Sequence, residues 1–421
     1  MAETLDQLLA RVDGGKPLPA WTRASRRIAA EHKALAELVA GGTDGYGVTT
    51  QVGHRDKNRV RDIEAFQQDL LSSHLLPGLE WATRLQSRCI SLAKAHQLSR
   101  GGTGCPPATY RAVCEAAVDP GFAPRVPLDA SYSSGDVIPG AWWAHGLVEH
   151  SRADLGAKGA LTLMNGSYVH LGLALALVPR MRGALADLRR VAAAALVAGR
   201  AKNADAAHGV RIEPRLGQDP VAIRATDEVL ASLAEVVARF EEALEGDLAR
   251  PSDNPLLVDG RLVEQASFLS PRTALAGSSL MDAWMYAGTW LDRAVTWLCS
   301  GAGGLPPELA EGESLGLIQV PKLVAARVHR LREVLAPRPF SAGGSTSRDI
   351  EDLWTHGVMQ VVALEQGLDI VHELQALLTA VIRRAVAVGA PDAAAAVLGR
   401  GPASGRDFAE EVAAARESLT W

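Results

Sequence analysis

Cysteine, aromatic residues and any excess of one charge sign are all scarce in this chain. The four cysteines, Cys89, Cys105, Cys114 and Cys299, show neither C-x-x-C spacing nor a dense framework. They give no support to a zinc ribbon or a disulfide scaffold, and they fit a reducing compartment. Basic and acidic residues number 43 and 48 and are spread along the chain, for a net charge of −5. Aromatics make up 5% and do not interleave with basic residues, so nucleic acid is not an expected partner. Long apolar runs are missing as well: "LGLALALVP" (Leu171–Pro179) falls short of the ~18–20 residues of a membrane span, so no membrane contact is expected. The first residues, "MAETLDQLLARVDGG", are acidic and amphipathic, unlike a secretory signal. No internal repeat and no low-complexity tail occurs. The expectation is a soluble cytoplasmic protein without a metal site.

Hydrophobic residues are plentiful, at 48% of 421, enough for a large core. Thr355–Ala390 contains no proline and repeats apolar residues at three- and four-residue intervals, which predicts a helix far longer than the ~11–12 residues of an average one. Val221–Arg250 and Leu317–Leu335 read the same way, and Leu161–Gly199 does so with an interruption at Pro179. Helices of that length suggest a bundle shared between subunits. Before residue ~165 the chain differs. Gly and Pro cluster at Gly41–Gly53, Arg100–Pro107 and Asp119–Pro127 and mark loops between short helices. The reading is all-α, with a loop-rich catalytic lobe over residues 1–165 and a long central helical bundle with active-site loops over residues 166–421.

Five loop segments bear chemistry. They are "GYGVTTQVG", "SYSSGDVIPGAWWAH", "LTLMNGSYV", "GQDPVAIR" and "SDNPLL". In order and approximate spacing, from about residue 40 to residue 375, the chain resembles the histidine and aromatic amino-acid ammonia-lyases, as a shortened member. That resemblance implies a homotetramer of fumarase/ammonia-lyase-like fold with composite active sites, and a small amino acid as substrate. It also implies a cofactor, 4-methylidene-imidazol-5-one, formed by cyclisation and dehydration of Ser133-Ser134-Gly135. Ser134 supplies the hydroxyl that leaves. Gly135 supplies a backbone nitrogen that approaches the preceding carbonyl, helped by having no Cβ. Ser133 stands where the family has alanine, and its side chain takes no part in ring closure.

Ammonia is a poor leaving group, and addition of the amine to an electrophile makes nitrogen a better one. By resemblance, Tyr46 is the base for the β-proton. A phenol of ordinary pKa ~10 can do this near neutral pH only if donors or positive charge lower that value. Arg224 matches the arginine that holds the substrate carboxylate, with Gln218 in the same motif, a task suited to the guanidinium fork. Asn165 and Phe268 match residues beside the ring, and Glu351 matches the glutamate of the histidine lyases.

Three departures stand out. Val221 replaces the tyrosine of the Gln-Asp-Pro-Tyr motif, which removes a hydroxyl. The family's selectivity pair follows a Leu-Gln on a helix, and counting from Leu85-Gln86 reaches Leu92-Ala93, which predicts an apolar side-chain pocket and poor turnover of histidine, with His54 and His96 next in line should histidine prove best. The chain is also short. A 2,3-aminomutase using the same electrophile, and an inactive pseudoenzyme, remain alternatives to the ammonia-lyase. "AGSSLMDAW" begins like the fumarase/aspartase loop but lacks its proline, lysine and asparagine, so Gly277-Ser278-Ser279 reads as the start of a helix.

Overall fold

The computed structural model describes residues 4–153, 155–204, 217–337, 344–399 and 407–419. Helices α1 (Leu5–Leu9), α2 (Pro19–Ala40), α3 (Ile63–Ser73), α4 (Arg84–Leu98), α5 (Pro107–Val118), α6 (Val137–Ser151), α7 (Gly159–Met164) and α8 (Tyr168–Ala198) come first. Then follow α9 (Val221–Arg224), α10 (Thr226–Leu248), the strands β1 (Leu256–Val258) and β2 (Arg261–Val263), α11 (Pro271–Cys299), α12 (Val320–Leu335), α13 (Gly357–Ala387), α14 (Asp392–Leu398) and α15 (Phe408–Glu417). The protein is all-α; β1 and β2 form a short antiparallel hairpin. Local chemistry sets many of the helix starts. Asp62 accepts from the Ala65 amide to cap α3, and Thr83 with Gln86 closes a capping box on α4.

Two compact units are present. The first comprises residues 1–178, 240–277 and 338–362, and the second residues 179–239, 278–337 and 363–421. This division is discontinuous, whereas the sequence suggests one boundary between residues 165 and 166. The reason is that α8, α10, α11 and α13 each carry residues of both units, so no single cut in the chain separates them. In the first unit α4 is buried from Gln86 to Leu98. In the second, a Cβ on Gly199 would lie 2.2 Å from the Trp297 ring, so the end of α8 packs directly on α11, and Gln375 of α13 donates to the Ala184 carbonyl at 2.8 Å.

Three helix expectations change. Helix α8 runs 31 residues straight through Pro179. A proline there removes the bond to the carbonyl of Leu175, but Leu175, Val178 and Met181 are all fully buried, and that packing carries the helix across the gap. The Val221–Arg250 stretch breaks at Ala225, which leaves the helical region and caps α9. Lastly, Gly159–Ala198 does contain an 18-residue window of mean hydropathy 1.5, enough by length and composition to cross a membrane. That window is entirely buried within the fold, the setting of a core helix.

Candidate functional site

The loop after α2 turns sharply at Gly45–Thr50. Gly47 has φ +65°, and a Cβ on it would lie 2.5 Å from the Leu161 side chain of α7, so both backbone and space favour glycine there. Gln67 of α3 locks the turn by donating to the Gly47 carbonyl at 2.9 Å and accepting from the Leu161 amide at 3.3 Å. Tyr46 is thereby held half-buried, its hydroxyl oxygen accepting from the Gly53 amide at 2.9 Å.

The Ser133-Ser134-Gly135-Asp136 segment forms a bend and a turn before α6, with φ +59° at Ser133, +80° at Gly135 and +47° at Asp136. Left-handed conformations at non-glycine residues cost energy and persist only where surroundings enforce them. Here they do. The Thr355 hydroxyl donates to the Ser133 carbonyl at 3.3 Å, and the Ser133 Oγ accepts the Val358 amide at 3.1 Å, meeting one of the unpaired N–H groups at the start of α13. The extra hydroxyl of Ser133 thus has a structural partner. Asp136 does not cap its own helix. Its buried carboxylate accepts from the Ser131 hydroxyl and from the His170 amide, and burial pushes its pKa up to about 6 despite those bonds.

Asn165 follows α7 and lies against this turn. A Cβ on Gly135 would meet the Asn165 Oδ1 at 2.3 Å, a space that only a Cβ-less residue leaves open. The segment therefore fits the ring-forming tripeptide: glycine where bulk is forbidden, a serine facing the cavity, and a backbone bent by its neighbours. Behind Asn165 lies a buried polar network. Its Nδ2 donates to Asp253 at 3.3 Å, Asp253 pairs with Lys158, and Thr162 donates to the same carboxylate at 3.0 Å. Lys94 donates to the Asn165 carbonyl at 3.0 Å, and burial lowers its pKa to about 7.

Tyr46, Ser134, Asn165, Phe268 and Glu351 line one cavity of about 650 Å³ in the first unit. Among the described residues no lysine or arginine lines it, while Asp56, Glu264 and Glu351 do. Burial, followed by these three carboxylates, pushes the Tyr46 phenol upward, against a single opposing donor from Gly53. Among the described residues, then, no lysine or arginine of the cavity wall offers Tyr46 the positive charge that the expected base role needs.

Other candidates lie elsewhere. Gln218 and Arg224 belong to the second unit, are exposed and do not line the cavity; Arg224 Nε donates to the Asp219 carbonyl at 3.0 Å. Val221 is also exposed. Leu92 and Ala93 are a correction. Both are fully buried and neither lines the cavity, because α4 is buried on every face from Gln86 to Leu98, so a count along it reaches core rather than pocket. His96 is buried in α4 too, within reach of the Arg100 guanidinium. The pair at the cavity is Ser73-His74, at the end of α3, seven residues beyond Gln67 in the case of His74. Its signal is a Gln pair, Gln67-Gln68, on an earlier helix than the one counted from. His74 Nδ1 bonds the Leu70 carbonyl at 2.7 Å, so the neutral ring carries its proton there and keeps Nε2 as an acceptor. His54 and Tyr132 also line the cavity.

A family profile described as aromatic amino acid lyase matches residues 4–154 and 207–407. Among solved structures, the ergothioneine-degrading ergothionase of Treponema denticola superimposes with a TM-score of 0.87 at 15% identity, covering 99% of this chain and 97% of that one. Pantoea agglomerans phenylalanine aminomutase gives 0.84 at 16%, covering 98% and 97%. Histidine ammonia-lyase of Trypanosoma cruzi gives 0.80 at 20%, covering 99% and 92%.

Proposed function

Because the chain belongs to the aromatic amino acid lyase family, we propose that it is an ammonia-lyase acting on an α-amino acid with a ring side chain, through 4-methylidene-imidazol-5-one made from Ser133, Ser134 and Gly135. The observation that carries this reading is the convergence of Tyr46, Ser134, Asn165, Phe268 and Glu351, from separated stretches of chain, on one cavity. The ring, when formed, supplies an electrophile that turns the substrate nitrogen into a better leaving group. Every other task falls to side chains. Tyr46 takes the β-proton. Asn165 orients the reacting end, Phe268 packs beside it, and Glu351 handles the proton of the amine. Overall the β C–H and α C–N bonds break, a C=C bond forms, and an unsaturated carboxylate and ammonium leave.

Two further elements belong to this reading. Arg224 and Gln218 come from another copy of the chain in a homotetramer, where Arg224 holds the carboxylate and brings positive charge toward Tyr46. Ser73 and His74 give the side-chain end a hydrogen-bond partner. A polar ring such as imidazole is then a good substrate, in place of the apolar preference expected from Leu92 and Ala93.

The test is intact mass together with an ammonia-release assay over a panel of amino acids. The protein should weigh about 36 Da less than its sequence, the mass of two waters. Ser134→Ala should restore that mass and abolish ammonia release while unfolding as wild type does, since a loop Ser→Ala change costs little. Full activity in Ser134→Ala would overturn the reading, and a β-amino acid as the product would make the protein an aminomutase.

A further inference from the structure

Tyr132 stands immediately before the ring-forming tripeptide and lines the same cavity. Its hydroxyl donates to Glu351 Oε2 at 2.5 Å, and the Thr346 hydroxyl donates to that same oxygen at 2.9 Å, the two hydroxyls lying 3.1 Å apart. Oε1 of Glu351 receives no hydrogen bond among the described residues. Each partner is itself held. Thr346 and Glu351 are paired through their backbones as an antiparallel bridge, with N–H to carbonyl distances of 2.9 and 3.3 Å. The Tyr132 ring packs on Trp354 with centroids 4.7 Å apart, and its carbonyl accepts the His356 amide at 3.0 Å.

We propose that Tyr132 is a positioning residue for Glu351: with Thr346 it holds Oε2, so that Oε1 serves as the acceptor for the proton the substrate's α-ammonium group gives up. This rests on the role given to Glu351 above. The proton balance is closed. The ammonium becomes an amine as the carboxylate becomes a carboxylic acid; once the C–N bond has broken, Glu351 returns that proton and Tyr46 the β-proton to the nitrogen, which leaves as ammonium with both side chains back in their starting states. Burial, and next the bond to Glu351, push the Tyr132 phenol up to about 12, so it remains a donor at neutral pH.

Tyr132→Phe keeps the ring against Trp354 and removes only the hydroxyl. The other titratable groups at the cavity, Tyr46, His54, Asp56, His74, Asp136 and Glu264, stay in place. The variant should retain the two-water mass loss and show kcat reduced about a hundredfold with KM little changed. The acidic limb of its pH–rate profile should move up by about one to two pH units, the effect of losing a hydrogen bond to a charged group. The carboxylic acid stretching band that Glu351→Gln removes from the infrared spectrum should titrate upward by the same amount, a readout independent of turnover. Thr346→Val should shift that band in the same direction, and Thr346→Ser should not. An unmoved band and limb in Tyr132→Phe would overturn the proposal, as would loss of the two-water signature, which would make Tyr132 a residue for ring formation. Should wild type lack that signature, the lyase reading falls, while the infrared titration still decides whether Tyr132 governs Glu351.

Discussion

His74 illustrates how a backbone bond can set side-chain chemistry. Because the Leu70 carbonyl can only accept, Nδ1 of the neutral ring must carry the proton, and Nε2 is the atom left to accept from a substrate N–H or O–H. Ser73 Oγ lies 3.2 Å from the same Nδ1 and helps hold the ring. His74→Leu removes this acceptor and keeps apolar bulk. We expect kcat/KM for a polar-ring amino acid such as histidine to fall at least about tenfold relative to phenylalanine, because a site built around a hydrogen bond discriminates strongly. A competition assay between the two amino acids reads the ratio directly. An unchanged ratio would place the selecting group elsewhere on the cavity wall, with His54 the next residue to replace.

Between α7 and the loop that follows α10, the Lys158–Asp253 pair joins two stretches of chain across the floor beneath Asn165. Both side chains are completely buried. Thr162 and Asn165 also donate to Asp253, so the carboxylate organises one face of α7. A buried pair need not add net stability, yet removing one partner strands the other charge without solvent. Lys158→Met should therefore cost about 3–5 kcal/mol in denaturant unfolding and lower activity by loosening Asn165. Adding Asp253→Asn should return part of that loss, since no unpaired charge then remains. A Lys158→Met protein as stable as wild type would show that α7 is held by its apolar packing alone.

Stability of the full chain should depend on pH chiefly through imidazoles kept neutral inside it. Burial lowers the pKa of His170 to about 4, and burial followed by the nearby Arg100 lowers that of His96 to about 3. Both lie below the ordinary value of about 6.5, so the unfolded chain binds more protons as pH falls. The stability these residues contribute is complete above pH ~6.5 and is lost progressively toward pH ~4, on the order of 3 kcal/mol each. Asp136 works in the opposite sense. Its folded pKa of about 6 exceeds the ordinary carboxylate value, so it adds stability as pH falls below 6 and offsets roughly one histidine. The net expectation is lower unfolding free energy at pH 4.5 than at pH 8 in urea titrations, with the difference reduced in His96→Gln. Equal stability at the two pH values would show that these rings are hydrated in solution.

What the sequence by itself determined is the local part. Apolar periodicity and capping residues such as Asp62 and Thr83 mark helices, because a helix is built from bonds between residues four apart. The motif residues Tyr46, Ser134, Asn165, Phe268 and Glu351 could be named through the resemblance of their loop segments to a known family, while local chemistry marked only the turns that carry some of them. Tertiary structure alone decided which of them meet. It brought those five to one cavity and left Gln218 and Arg224 in the second unit. It also buried Leu92 and Ala93 inside α4 while turning Ser73 and His74 to the cavity. The face a helical residue presents depends on elements distant in sequence that pack against it, and spacing along one helix carries no record of them. The same holds for Pro179 and for Tyr132. Buried neighbours keep α8 continuous through a residue that breaks helices elsewhere, and a tyrosine beside the tripeptide acquires its partner, Glu351, 219 positions away in the chain, only when the loops close.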